Sequence, residues 1–170
     1  GLYNCSYDRI SRRFGGGLQK LVQDLDGKPV VRWSAESLVD APVDEVVVVT
    51  GADDQPVRDA LSGLRVRFAQ HALGGEGMAS SLAAGVAALA PGTRAVLVAL
   101  GDEPRIGTEP PARVVARYRE GGSAIVAPTF RGVRGHPVLF DRSVFPELLA
   151  LSGDRGARAV ADRDAGRLAL

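Results

Sequence analysis

A single cysteine, Cys5, is all that 170 residues provide. It excludes an internal disulfide and any cysteine-rich metal site. Net charge is also missing, since 21 basic side chains stand against 20 acidic ones for a formal +1 at pH 7. That balance gives no electrostatic reason to expect nucleic acid or an anionic membrane surface as a partner. No apolar run approaches the ~18 residues of a membrane span. The N-terminus lacks the basic segment, apolar stretch and small-residue cleavage site of a signal peptide, so the cytoplasm is the expected location. Lysine is scarce beside arginine, with only Lys20 and Lys28 present. The imbalance suits anion contacts, but a GC-rich genome explains it as well. Internal repeats, low-complexity tracts and long linkers are lacking, so residues 1–170 read as one domain.

What is present is the material of a core. Hydrophobic residues make up 45% and charged residues 24%, the proportions of a globular domain. The runs "EVVVVT" (45–50), "AVLVAL" (95–100), "AIVAP" (124–128) and "HPVLF" (136–140) have the length and β-branched content of buried strands. "RVRFAQ" (65–70) alternates as a half-buried edge strand does. Between them, 29–40, 54–63, 77–90 and 108–122 read as helices. Gly63 and Pro91 stop the second and third, and a Thr108 cap with prolines in the first turn opens the last. Apolar strands alternating with helices predict an α/β fold: a doubly wound, mostly parallel sheet with helices on both faces. Residues 1–11, "GLYNCSYDRIS", are interrupted by Asn4 and Asp8 and predict a poor central strand for such a sheet.

In doubly wound sheets, ligands sit outside the carboxyl ends of the strands. Thr50-Gly51, Gly101-Asp102-Glu103-Pro104 and Pro128-Thr129 are therefore candidate site positions. Asp102, directly beyond an apolar strand, is placed either to hold Mg²⁺ bridging a nucleotide's phosphates or to cap a helix at 105–120. Glu103 is a second acid or a solvated turn residue. "ISRRFGGGLQKL" (10–21) offers a phosphate the N–H groups of Gly15, Gly16 and Gly17 and the charges of Arg12, Arg13 and Lys20. It lacks the Walker A spacing and is equally a surface loop. Ser80 and Ser81 open a small-residue helix, where hydroxyls and free N–H groups either bind a base or phosphate or simply cap the helix. His136 has no acid or nucleophile at a diagnostic spacing and reads as structural. "SGDRGARAV" (152–160) sets Asp154 and Gly156 at a helix start beside Arg155 and Arg158, as capping alone would.

Taken in order, these stretches resemble the MobA-like nucleotidyltransferases, and most closely the molybdenum cofactor cytidylyltransferases. "GMASSLAAGVAAL" is similar to that family's Gly-Met-x-Ser-Ser-Leu helix, and "VLVALGDEP" to its strand ending in Gly-Asp-Gln-Pro, with Glu103 in place of Gln. "GVRGHPVLF" resembles its Gly-x-x-Gly-His-Pro segment and "LSGDRGAR" its Gly-Asp-x-Gly-Ala-Arg. "SRRFGG…QKLV…LDGKPVV" is similar to its Ser-x-Arg-Phe/Met-Gly, Lys-Leu-Leu and Gly-x-Pro-Leu series. Several co-linear motifs over roughly residues 11–161 make the likeness specific.

The resemblance implies a Rossmann-like nucleotidyltransferase fold and transfer of CMP from CTP to a molybdopterin-type cofactor with release of pyrophosphate. A molybdoenzyme is then a further partner. It implies Asp102, Arg13 and Lys20 as catalytic residues, with Asp102 the Mg²⁺ ligand. Ser11, Gly15, Gly16, Lys20, Ser80, Ser81 and Gly101 would bind the nucleotide, and Gly135, His136, Pro137 and Asp154 would face the pterin. The serine-bearing helix favours cytidylyl over guanylyl transfer. Alternatives are a guanylyltransferase, another NTP transferase of the same fold such as a sugar-nucleotide transferase, and a non-catalytic cofactor- or nucleotide-binding relative. The last arises from departures. The family's Leu-Ala-Ala-Gly-x-Ser opening is replaced, His71-Ala72 stands for its Asn-Pro, and Asp162 and Asp164 lie in surroundings unlike its Asp-x-Asp-Thr-Pro. An altered amide cradle is expected to cost several charge-assisted hydrogen bonds of roughly 1.5–3 kcal/mol each.

Overall fold

The computed structural model describes residues 2–7, 17–71, 78–153, 155–163 and 165–169. In chain order the elements are β1 (Leu2–Tyr7), α1 (Gly17–Val22), a ribbon of β2 (Asp24–Leu25) and β3 (Lys28–Pro29), α2 (Val30–Val39), β4 (Glu45–Thr50), α3 (Gln55–Ala60), β5 (Arg67–Gln70), α4 (Met78–Ala87) and β6 (Ala95–Leu100). The second half adds α5 (Glu109–Arg119), β7 (Ile125–Val126), a ribbon of β8 (Thr129–Phe130) and β9 (Val133–Arg134), β10 (Val138–Asp141), α6 (Phe145–Leu149), α7 (Ala157–Ala161) and β11 (Leu168–Ala169).

The apolar strands feed two cores at once, because successive side chains of a strand point to opposite faces. From β6, Ala95, Leu97 and Ala99 face one core and Val96 and Val98 the other. In β4, Val46 and Val48 join the first of these and Val49 the second. The first core is closed by Leu21 of α1, Val31, Ala35 and Leu38 of α2, Val57 of α3, and Val114 and Val115 of α5. The second is closed by Ala79, Leu82 and Val86 of α4, Leu148 of α6, and Ala157, Val160 and Ala161 of α7. Helices thus cover both faces, the arrangement that lets a strand be apolar throughout.

Seven strands form the main sheet in the order β11-β7-β10-β6-β1-β4-β5. The pairs of β1 with β4 and β6, of β4 with β5, and of β7 with β11 are parallel. The fold is the doubly wound α/β layout expected, with β5 on an edge as its alternation indicates. Two expectations are corrected. Leu2–Tyr7 is a central strand, paired along its length with Ala95–Leu100 on one side and with β4 on the other. Ladders on both sides override the weak strand propensity of its residues. The run at 136–140 is not parallel, for β10 lies antiparallel to both β6 and β7. Its connection from β7 contains only the short β8–β9 ribbon, and a parallel return needs a longer crossover.

Helix α5 begins at Glu109 with prolines in its first turn, but Thr108 at its N-cap makes no side-chain capping bond. Asp102 lies well before that start, so it does not cap this helix.

Candidate functional site

The turn after β6 is held from across the sheet. Ser34, buried in the middle of α2, donates its Oγ hydrogen to the Gly101 carbonyl at 3.0 Å. This fixes the backbone from which Asp102 projects. Helix α1 is fixed separately. Leu21 sinks into the core beneath it, and the Val30 N–H bonds the Gln23 carbonyl at 3.0 Å just past its end. The adjacent β2–β3 ribbon is pinned by Trp33, whose Nε1 donates to the Leu25 carbonyl at 2.7 Å while Lys28 Nζ sits 4.3 Å over its ring.

These anchors bring together two residues that the sequence reading singled out. Lys20 Nζ of α1 lies 3.8 Å from Asp102 Oδ2, with the side chains 54% and 25% exposed. An exposed pair of this kind contributes about 0–1 kcal/mol to stability. Its position matters more, because a cation and a carboxylate meet at the carboxyl end of a central strand. Lys20 also borders an open depression of about 500 Å³ beside Gln19 and Gln23.

Glu103 is half-buried rather than a solvated turn residue. Burial, and then the negative charge of Asp102, hold its carboxyl above the usual range. A group raised in the folded state adds stability below its ordinary value near 4.5 and loses that contribution as pH rises through the folded value. Glu103→Gln should therefore raise the unfolding midpoint in metal-free buffer at pH 7, and the gain should vanish below about pH 4.5. A midpoint that moves equally at both pH values would refute the assignment.

Among the described residues no cluster of three or more His, Cys, Asp or Glu side chains could hold a metal by protein ligands alone. The donor set nevertheless fits Mg²⁺, a hard cation usually held through one or two carboxylates plus substrate phosphates and waters. Asp102 supplies an accessible carboxylate beside the Lys20 ammonium.

On the other side of β6, a cavity of about 390 Å³ has walls of Met78, Leu82, Val98, Leu100 and Ala157, with His136 on its lining. Arg155, Arg158 and Asp162 stand at its edge. Asp162 forms ion pairs with Arg134 and, at 3.9 Å, with Arg158. Burial lowers the His136 imidazole below its ordinary value, and Arg158 and Arg134 act in the same direction. A hydrogen bond to the Val98 backbone, and Asp102, oppose them. Gly156 lies so close to α4 that a Cβ there would come within 2.5 Å of the Met78 sulfur. Glycine at the start of α7 thus leaves room for the Met78 side chain of α4 on the cavity wall.

Gly101 is buried on its turn, Gly135 is exposed, and Pro137 is buried behind His136. Ser80 and Ser81 are half-buried in the first turns of α4 and do not line the cavity. Ser11, Arg13, Gly15, Gly16 and Asp154 lie outside the described residues. Sequence reasoning missed Ser34, the Arg134–Asp162 pair and the Met78–Gly156 crossing. None carries a local signal, since each joins residues far apart in the chain.

Comparison with known proteins places this geometry in a family. The family model for the MobA-like NTP transferase domain matches residues 10–168. A relative named nicotine blue oxidoreductase, from Paenarthrobacter nicotinovorans, is 32% identical over 154 residues, which is 86% of this chain and 74% of that protein. A nucleotidyl transferase from Methanothermobacter superposes with a TM-score of 0.77 at 26% identity, over 98% of this chain and 83% of that one. Rv0371c of Mycobacterium tuberculosis H37Rv, in a complex with manganese, superposes with a TM-score of 0.79 at 19% identity, over 99% and 84%.

Proposed function

The chain belongs to the MobA-like NTP transferase family, and from that membership we propose that it transfers CMP from CTP to the phosphate of a molybdopterin-type cofactor. A phosphate oxygen of the acceptor attacks the α-phosphorus, the bond to the bridging oxygen breaks, and pyrophosphate leaves with the electron pair. The observation that carries the reading is the meeting of Lys20 and Asp102 at the end of β6. Lys20 compensates the negative charge of the β- and γ-phosphates. Asp102, on the turn clamped by Ser34, would hold a divalent cation. When bound, Mg²⁺ would neutralise charge on the triphosphate and align it for in-line displacement. The manganese found with a protein of this fold supports a divalent ion here. The His136 cavity on the other side of β6 is the acceptor side, with Gly135 and Pro137 flanking His136 in the chain. The choice of CTP and of molybdopterin rests on the likeness of "GMASSL" and "GVRGHPVLF" to the cytidylyltransferase motifs.

The relative at 32% identity is named as an oxidoreductase, so the assay must separate group transfer from redox chemistry. Calorimetric titration with CTP, GTP and ATP, each with and without Mg²⁺, is expected to show CTP binding that requires Mg²⁺. Addition of molybdopterin should then release one pyrophosphate per CTP consumed, with no oxidation or reduction of the acceptor. A preference for GTP would overturn the nucleotide assignment. Turnover of a hydride donor without pyrophosphate release would overturn the transferase reading.

A further inference from the structure

Five polar or charged side chains are buried among the described residues: Ser34, Ser37, Thr50, Asp54 and Thr93. Four of them find partners within four residues along the chain. Ser37 donates to the Trp33 carbonyl at 3.1 Å, Thr93 to the Ala90 carbonyl at 2.6 Å, and Thr50 to Asp54 Oδ2 at 2.7 Å. Ser34 differs, because its bond joins it to the Gly101 carbonyl, 67 residues away in the chain. Val30, one turn earlier in the same helix, offers a second carbonyl, but at 3.5 Å. A hydroxyl has one hydrogen to give, and the shorter contact takes it.

Packing alone gives no reason for a serine here. Val31, Ala35 and Leu38 lie on the same buried face of α2, so an apolar residue would suit position 34. Serine is also a weaker helix former than alanine. What the hydroxyl adds is a fixed Gly101 carbonyl, one residue before Asp102. Groups that hold a metal ligand in place from behind govern how well it binds, and their loss typically costs about 10–100-fold in metal affinity or activity.

We propose that Ser34 is a positioning residue that sets the divalent-ion affinity of Asp102. This rests on the reading of Asp102 as the ion's ligand, and it names the remote group that governs that ligand. Ser34 touches neither ion nor nucleotide. Its hydroxyl fixes the turn from within the core, so the carboxylate meets the ion without first having to order its own backbone. Without that bond the buried Gly101 carbonyl loses its donor, and the turn shifts to find another.

Titration with Mn²⁺, followed by NMR of the whole chain, tests this through paramagnetic broadening of amide signals. The ion should broaden the signals around Asp102 in the native protein and not in Asp102→Asn. Ser34→Ala should raise the Mn²⁺ concentration needed for half-broadening by about tenfold or more and move the Asp102 amide signal. Its CTP affinity without metal should not change. Ser34→Cys, which nearly keeps the volume but donates weakly, should fall between. Ser37→Ala is the control, since it removes a buried hydroxyl whose bond stays within the same helix. It should lower the thermal midpoint about as much and leave Mn²⁺ binding as it was. Equal weakening by Ser34→Ala and Ser37→Ala overturns the proposal, because that is the result of a merely structural role. Unchanged Mn²⁺ binding in Ser34→Ala, with binding lost in Asp102→Asn, overturns the proposal alone. Broadening that persists in Asp102→Asn strikes the reading of Asp102 as the ion's ligand, and the proposal with it.

Discussion

On the proposed function, replacing Asp102 with asparagine should lower pyrophosphate release from CTP by about 10²–10³-fold and leave the fold in place. The substitution keeps the shape of the side chain and removes only its charge. The backbone beneath it is held by the Ser34–Gly101 bond, which the change does not touch. Its ion pair with Lys20, 54% and 25% exposed, is worth about 0–1 kcal/mol, so the thermal midpoint should move by no more than about 2–4 °C. The large loss comes instead from the reaction. A neutral amide neither holds a hard divalent cation as a carboxylate does nor balances the triphosphate field together with Lys20. Calorimetry on the variant should show that Mg²⁺ no longer strengthens CTP binding. Full turnover with an unchanged Mg²⁺ dependence would remove Asp102 from the site.

The second large effect is on stability. Phe140→Ala should destabilise the protein by about 3–5 kcal/mol, a large part of the 5–15 kcal/mol typical of a domain. Phe140 is 0% exposed and sits on β10, opposite Val96 of β6 and Ile125 of β7. It fills the core closed by α4, α6 and α7, while its neighbour Leu139 points into the other one. Truncation opens a cavity between elements that are fixed on both sides and cannot collapse into it. Urea unfolding should show a lower midpoint with an unchanged slope, and the thermal midpoint should fall by roughly 10 °C. A loss below about 1 kcal/mol would contradict the packing of β10 between two neighbours.

Much of the sheet was legible because its strands are apolar on both faces. "EVVVVT" and "AVLVAL" match β4 and β6 residue for residue, and the edge character of β5 shows in its alternation. The strand β1 was not legible, since what makes Leu2–Tyr7 a strand lies in β4 and β6 rather than in its own residues. The direction of β10 was hidden for a related reason. An apolar run reads the same both ways, and only the helix-free connection after β7 decides its orientation. Asp102 stood out because an apolar strand ends abruptly at a glycine and an acid. That Lys20 meets it follows from the packing of α1, which no local pattern encodes. His136 was read as structural for want of companions in sequence. Its companions, Val98, Arg134 and Arg158, come from three other elements and assemble only in the fold.

The reversed strand β10 has a consequence for how the site can change. A parallel strand delivers its last residues to the ligand edge of the sheet, whereas an antiparallel one delivers its first. His136, just ahead of Val138, therefore reaches the edge that Asp102 reaches from the end of β6. Asp102 and His136 thus come to one edge from strands of opposite direction, and the cavity beside them is shared by α4, β6 and α7. Exchanges at His136 can therefore reshape the cavity lining without moving the strand that carries Asp102.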